Sequence, residues 1–253
     1  MADIRLVLFS AIGLACGILL FFKGFIWFRQ KKLIEALPTS KIRSIAMGIV
    51  EIFGEVIPLK GSTLKSPFSN NDCVYYKYTI EEYRKSGRRS SWVIVNQNEA
   101  RTHFFLKDGT GTVLIDPKGA DISIPIDKEF SSGFGKDPAP QITSFLKKSN
   151  MSFEGLFGMN KTMRYREYFI APKDKLYIIG TAKDNPYVNE ASASKGHDDI
   201  MIGADGKEFF YISDRPEKDI LKRFKWMAIG GLFGGALVTL GAITFIVHLL
   251  KLF

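Results

Sequence analysis

Two long apolar segments, one near each end of the chain, constrain the fold more than any other feature of the sequence. Leu6 to Phe28 contains one charged residue, Lys23, and Trp226 to Leu250 contains none. About 20 helical residues cross a bilayer core of about 30 Å, and both segments are longer than that. The first is also longer than the apolar run of a signal peptide and is followed by a basic flank, RQKK at 29–32. The sequence therefore predicts two membrane-spanning helices, with Lys23 extending its ammonium group to the headgroups.

Each apolar segment carries glycines four residues apart, a spacing that places them on one helix face. Small residues let two helix backbones approach closely in lipid, where packing drives association. The spacing is compatible with packing of the two helices on each other, with packing on a second copy of the chain, and with the general abundance of glycine in membrane helices. The candidate packing residues are Gly13, Gly17, Gly230, Gly231, Gly234 and Gly235.

The middle of the chain, residues 29–225, has the pattern of a β-rich domain. Short runs of β-branched and aromatic residues alternate with turn residues at 43–59, 73–84, 91–95, 102–106, 112–116, 121–126, 165–170, 175–181, 199–203 and 207–212. Alternation within 73–84 predicts a strand that is buried on one face. The predicted fold is a membrane protein of mixed α+β class. Two transmembrane helices, 6–28 and 226–250, flank a single barrel- or sandwich-like β domain with one or two short helices, and short tails remain at 1–5 and 251–253.

Turn and cap residues predict how these elements connect. Short turns at 86–87, 172–174 and 205–206 predict that the strands on either side of each turn pair as hairpins. Asp137 and Pro138 predict the N-cap and first residue of a short helix. A last helix is predicted to begin at 214–216 and to continue into the second apolar segment.

Composition and motifs exclude several classes of function. The chain has 35 Lys and Arg against 26 Asp and Glu, without the dense basic blocks of a nucleic-acid-binding tail. Its two cysteines and three histidines are too few for a RING-type pair of four-ligand zinc sites. The sequence also contains no P-loop, GxSxG, HExxH or GxGxxG motif. It therefore predicts no catalytic residues, no cofactor, no metal and no nucleic-acid partner.

Two surface features are candidate binding sites. The turn at 86–87 is flanked by four cationic residues, which form either a solvated turn or a contact with anionic lipid headgroups. The sequences FSSGFG (130–135) and FEGLFGM (153–159) are loops of unusual apolar content, which either cover the open end of the barrel or form an exposed patch for a partner protein or the bilayer. The candidate lipid-binding residues are Arg84, Lys85, Arg88 and Arg89. The candidate patch residues are Phe130, Phe134, Phe153, Leu156, Phe157 and Met159.

A resemblance to a known family lies in four stretches of the chain: TSKIRSIAMGIVEIFGEVIPL (39–59), SPFSNNDCVYYKYTIEEY (66–83), FFLKDGTGTVLIDPKGADI (104–122) and YREYFIAPKDKLYIIGTA (165–182). They resemble the GIDE, or BAM (beside a membrane), domain, which lies between two transmembrane helices in a mitochondrial E3 ubiquitin ligase. Such ligases carry a RING after the second helix, and this sequence offers no zinc-ligand set for one. The resemblance therefore implies a RING-less relative in a prokaryotic cell membrane.

The function predicted from these observations is that of a non-catalytic module that binds membrane lipids or a membrane-associated protein. Two alternatives remain open. The chain could act like an E3 ubiquitin ligase by family descent, with a role in ubiquitination or organelle organisation. It could also be a structural subunit of a membrane complex, such as a homo-oligomer held together by the helix glycines.

Basic residues next to the apolar segments predict the side of the membrane on which the domain lies. The opposite side carries Arg5, Lys251 and the terminal amine. The domain side carries ten basic residues: Arg29, Lys31, Lys32, Lys41, Arg43, Arg215, Lys218, Lys222, Arg223 and Lys225. Because positive flanks stay in the cytoplasm, this asymmetry predicts a cytoplasmic domain with both termini outside. The family resemblance implies the opposite, since the domain of the mitochondrial ligase faces the intermembrane space.

Overall fold

The structure, a computed structural model, describes residues 4–149, 151, 160–187, 199–206 and 208–249. The chain forms two compact units. A helical unit contains Met1–Pro38 and Arg215–Phe253, and a β-rich unit contains Thr39–Asp214. The helices, in chain order, are α1 (Ile4–Ala36), α2 (Pro140–Lys148), α3 (Glu217–Ile229) and α4 (Gly235–Leu249).

The helical unit pairs α1 with a nearly continuous second helix. Pro216 is the N-cap of α3, and a π-helical turn, Gly230–Gly234, joins α3 to α4. The second helix therefore runs into the C-terminal apolar segment, as the sequence predicted. Both helices are long and apolar enough to cross a membrane, and little of either apolar stretch is buried.

The β-rich unit contains thirteen described strands: β1 (Gly48–Pro58), β2 (Leu64–Lys65), β3 (Asp72–Cys73), β4 (Tyr75–Ser86), β5 (Arg89–Arg101), β6 (Phe104–Lys107), β7 (Thr112–Ile115), β8 (Asp121–Ser123), β9 (Lys128–Ser132), β10 (Met163–Ile170), β11 (Lys175–Asp184), β12 (Ile200–Gly203) and β13 (Tyr211–Ser213). Five of them close into a ring in the order β1, β6, β7, β12, β11 and back to β1. β13 and then β8 extend this sheet from β11, while β2 and β3 form a small separate pair.

The ring closes because β1 and β11 each pair on both edges. β1 pairs with β11 over Gly48–Glu55 and with β6 over Glu55–Pro58. Most of β11 is buried, as expected for a strand covered on both faces. The apolar core of this sheet includes Ile52, Phe104 and Ile178, all fully buried. The prediction of a barrel is correct for this part of the domain.

A second sheet of four antiparallel strands, in the order β5, β4, β10, β9, has its own core. One face packs against α2 through Phe68, Tyr78, Tyr165, Ile142 and Leu146. The aromatic rings among them meet edge to face. The domain therefore has two packed sheets with separate cores, whereas the sequence predicted a single barrel or sandwich.

Other local predictions were wrong in ways that have a physical reason. α2 begins at Pro140 with Ala139 as its N-cap, so Asp137 and Pro138 precede the helix. The strands around 172–174 do not pair with each other, because β10 belongs to the four-stranded sheet and β11 to the ring. Likewise β12 and β13 do not pair with each other, because they pair with successive stretches of the same edge of β11, opposite β1.

Candidate functional site

The β4–β5 hairpin extends beyond the rest of its sheet as an arm. β10 pairs with β4 only as far as Glu82, whereas β4 and β5 remain paired to Ser86 and Arg89. Gly87 forms the turn with a φ of +60°, a backbone conformation that glycine adopts without steric cost. We call residues 82–92 the arm.

The four predicted lipid-binding residues lie together on this arm. Arg84, Lys85, Arg88 and Arg89 are all exposed. Arg84 forms an ion pair of 2.8 Å with Glu82. The other three have no acidic partner within 4 Å among the described residues. The tip of the arm is therefore a concentration of uncompensated positive charge.

An exposed aromatic pair lies at the base of the arm. Tyr83 and Trp92 are paired across the strands, with ring centroids 5.3 Å apart. The Tyr83 hydroxyl donates to Ser90 Oγ at 2.7 Å, and the Arg164 guanidinium lies 4.3 Å from the centre of the Trp92 ring. Trp92 nevertheless stays 38% exposed, and Ile94 on the same face is 52% exposed. These contacts fix the orientation of the indole ring while leaving apolar surface in contact with solvent.

A chain of ion pairs supports this open face of the four-stranded sheet. Glu81 is buried and accepts hydrogen bonds from Arg164, whose Nε lies at 2.9 Å, and from Arg166 Nη1 at 3.3 Å. Arg166 also donates from Nε to Glu129 at 2.7 Å. A bulge at this point, where Ile80 pairs with Asn96 and Glu81 with Ile94, leaves one extra residue on β5. The alternation in 73–84 did not reveal this network, because it predicted that only one face of the strand would be buried.

The first of the two predicted apolar loops forms a tight turn at the end of β9. Gly133 and Lys136 exchange both backbone hydrogen bonds, at 2.9 and 3.0 Å, with Phe134 and Gly135 at the apex. Phe134 is 85% exposed, whereas Phe130 packs against the α2 core. The structure thus separates two residues that were predicted to share a patch. Phe153, Leu156, Phe157 and Met159 lie outside the described residues.

Comparison with protein families identifies a match to a known family. A family model described as GIDE, E3 Ubiquitin ligase, matches residues 75–247, which is more than half of the chain. The chain belongs to the GIDE family. The match begins at β4 and includes the arm, the Phe134 turn and most of α4. Comparisons with curated proteins and with solved structures give no match.

The predicted packing glycines of this GIDE protein divide into two groups in the helical unit. A Cβ added to Gly231 would lie 2.5 Å from Gly24 Cα, and one added to Gly235 would lie 2.5 Å from Phe21 N. A Cβ on Gly17 would lie 2.8 Å from Thr239 N. Because these distances are far below van der Waals contact, α1 and the second helix touch here through their backbones.

The remaining predicted glycines are less closely packed. A Cβ on Gly13 or on Gly234 would find its nearest neighbour at 3.9 Å, and one on Gly230 would find none within 4 Å. Sequence reasoning missed Gly24, which lies at the closest approach. Gly24 follows Gly17 by seven residues, which is two helical turns, so a search limited to four-residue spacing passes over it.

Among the described residues, the buried carboxylates of the GIDE domain are engaged in structural contacts, whereas two buried polar atoms, Thr79 Oγ1 and His103 Nε2, have no hydrogen-bond partner. Glu51 accepts hydrogen bonds from the Tyr177 hydroxyl and from Thr39 Oγ1, both at 2.6 Å. Burial raises the pKa of the Cys73 thiol to about 12, so this thiol is protonated at neutral pH and is a poor nucleophile. Within the described part of the chain, no group of three or more His, Cys, Asp or Glu side chains could hold a metal ion.

Proposed function

We propose that this GIDE protein is a two-pass membrane protein whose domain is a non-catalytic module that binds a membrane-associated protein or lipid. The observation that carries the proposal is the arm, which combines uncompensated cations with a fixed, exposed indole ring. Exposed aromatic and arginine side chains are the groups that contribute most at binding surfaces. The buried carboxylates of Glu51, Glu81 and Glu167 are each held by hydrogen bonds from neighbouring residues, which supports a structural rather than a catalytic role for them.

The two apolar helices support the membrane anchor. Large side chains such as Phe9, Phe22 and Leu237 are more than 60% exposed on the helical unit. In water, a surface of this kind is unfavourable by about 25 cal/mol per Å². In lipid it costs nothing, and the glycine contact between the helices supplies the close packing that holds membrane helices together.

Site-specific photo-crosslinking in native membranes tests the binding function. A photoreactive amino acid replaces Arg88 on the arm or, as the matched control, Lys118 on the turn between β7 and β8; both positions are exposed basic residues. We expect a reproducible protein or lipid adduct from position 88 and none from position 118. Equal adduct yields at the two positions, or none at either, would contradict the proposal.

Ubiquitin transfer is a second candidate function, favoured by the description of the matching family. It requires recruitment of a ubiquitin-charged E2 enzyme and acceleration of ubiquitin release. The test incubates the purified full chain in lipid nanodiscs with a panel of charged E2 enzymes, with and without a zinc chelator. Under the binding-module proposal the chain leaves the discharge rate of every E2 unchanged. Chelator-sensitive acceleration would establish the ligase function instead.

A further inference from the structure

We infer that one end of the four-stranded sheet, formed by the arm and the Phe134 turn, docks on an anionic phospholipid surface. This inference rests on the proposed binding function and names the chemistry of the partner. We call these two segments, residues 82–92 and 133–137, the docking end.

The strand register brings the two segments to the same end of the sheet. Met163, the first residue of β10, pairs with Glu82 of β4 on one side and with Ser132 of β9 on the other. The Tyr83 backbone N–H also donates to the Thr162 carbonyl at 2.9 Å. Because neighbouring strands lie about 4.8 Å apart, the bases of the two segments are roughly 10 Å apart. Segments separated by more than 40 residues in sequence thus form one surface.

The apolar groups of the docking end suit a bilayer interface. Phe134 occupies the apex of a two-residue turn and is 85% exposed. Trp92 and Tyr83 each combine an apolar ring with a polar group, and such residues concentrate at the level of lipid headgroups. Phe134 stands on a different turn from the indole and phenol rings. Aromatic side chains that protrude from neighbouring turns can enter the fluid interface of a bilayer while the adjacent cations contact its headgroups.

The charges of the docking end select anionic lipid. Its two segments contain five basic residues, Arg84, Lys85, Arg88, Arg89 and Lys136, and two acidic ones, Glu82 and Asp137. All five basic residues are exposed, and Glu82 is already paired with Arg84. Basic residues near an anionic membrane each strengthen attachment by about fivefold. The four cations of the arm lie between Tyr83 and Trp92 in the chain, and Lys136 follows Phe134 by two residues, so each aromatic group of the docking end has cations close to it in the chain.

The test places an environment-sensitive fluorophore at the tip of the arm. The full chain carries Ser86→Cys and Cys16→Ser, labelled with NBD; Cys73 is fully buried and does not compete. The protein is reconstituted into vesicles of phosphatidylcholine alone or mixed with phosphatidylserine. We expect a blue-shifted, brighter emission only with phosphatidylserine, and its loss in high salt because salt screens the attraction.

Two variants and a matched control complete the experiment. The double change Arg88→Gln/Arg89→Gln should lower the ratio of inserted to free label roughly thirtyfold, and Phe134→Ser should reduce the blue shift. The control Lys60→Gln/Lys118→Gln removes the same charge from other exposed turns and should leave the emission unchanged. Emission that is equal in the two lipid mixtures, or equally reduced by both double variants, would overturn the inference.

The outcomes also separate this inference from the binding function. A protein adduct from position 88 in native membranes, combined with no response to phosphatidylserine, would contradict docking on anionic lipid but would support the proposed binding function. A larger change in NBD emission with a soluble polyglutamate peptide than with phosphatidylserine likewise assigns the docking end to an acidic protein. No adduct and no lipid response together overturn both proposals.

Discussion

Glu167 shows how an ionisable side chain can be buried in this domain without a catalytic role. It is fully buried on β10, and its Oε1 accepts the Phe68 backbone N–H at 2.7 Å. Its second oxygen accepts the Ser69 hydroxyl. These bonds hold the segment between β2 and β3 so that the Phe68 ring reaches the core beneath α2. The carboxylate is thus a structural anchor for an aromatic core residue.

Glu167→Gln should therefore destabilise the protein at nearly constant side-chain volume. The amide lacks the charge that strengthens both hydrogen bonds, so we expect the free energy of unfolding to fall by about 1–3 kcal/mol. Thermal unfolding of the full chain in detergent measures the change. The control is Glu129→Gln, which breaks an exposed ion pair with Arg166. It should lower the free energy of unfolding by about 0–1 kcal/mol. Equal losses in the two variants would contradict an anchoring role.

Asp108 predicts how the stability of the domain depends on acid. Burial alone would raise its pKa, but hydrogen bonds from the Thr110 side chain and from the backbone N–H groups of Ile42, Thr110 and Gly111 outweigh burial and lower it. A lowered pKa stabilises the fold above the ordinary pKa of 3.8, and this contribution disappears as the pH falls through the lower folded value. Asp108→Asn should reduce the melting temperature at pH 7. The difference in melting temperature between this variant and the unchanged protein should become smaller as the pH falls below 3.8. A difference that stays constant with pH would show that the effect comes from packing.

The turn between β10 and β11 shows how far local sequence determines the elements. Asp174 accepts the Ala171 N–H at 2.7 Å, and Lys173 has a φ of +74°, so the turn itself was read correctly from the sequence. Its strands nevertheless join different sheets. Turn chemistry fixes a reversal of the chain over a few residues, but β10 pairs with β4 and β11 with β1, strands that lie more than 80 residues earlier in the chain. For the same reason the sequence identified the cations of the arm but not their proximity to Phe134.

The contact between α1 and α4 can be tested by a disulfide. A Cβ on Gly13 would lie 3.9 Å from Ala242 Cβ, within the range of about 3.5–4.5 Å that a disulfide requires. Gly13→Cys/Ala242→Cys, with Cys16→Ser, should therefore form an intramolecular bond on mild oxidation. A mobility shift of the monomer on a non-reducing gel reports it, whereas a disulfide-linked dimer would place this contact between two copies.

Two further changes show whether the glycines hold the helices in register. Gly231→Ala adds a methyl group 2.5 Å from Gly24 Cα, while Gly230→Ala, its neighbour in the same π-helical turn, has no atom within 4 Å of the added carbon. We expect the first change to reduce the disulfide yield and the second to leave it near that of the parent. Equal yields would exclude backbone contact at this position.

At the scale of the whole molecule, the proposed membrane anchor leads to a prediction of the side of the membrane on which the domain lies. The flanking basic residues predict the cytoplasm. The single reporter Ser86→Cys, with Cys16→Ser, lies on the exposed arm, while Cys73 is buried and its thiol protonated. A membrane-impermeant maleimide should label this protein only after cells are permeabilised. Labelling of intact cells would place the domain outside, as the family resemblance implies.

The pairing of β1 with β11, which closes the ring, determines how late in synthesis the barrel can form. Gly48 of β1 pairs with Ala182 of β11, so this pairing cannot be completed until 134 further residues have been synthesised, which takes roughly 7–27 s at about 5–20 residues per second. During that time β6 can pair with Glu55–Pro58, but Gly48–Gly54 remains an open edge. An unpaired apolar edge is a template for association between chains. A polypeptide truncated before Lys175 lacks β11 and should therefore form an open sheet that aggregates, rather than a smaller barrel.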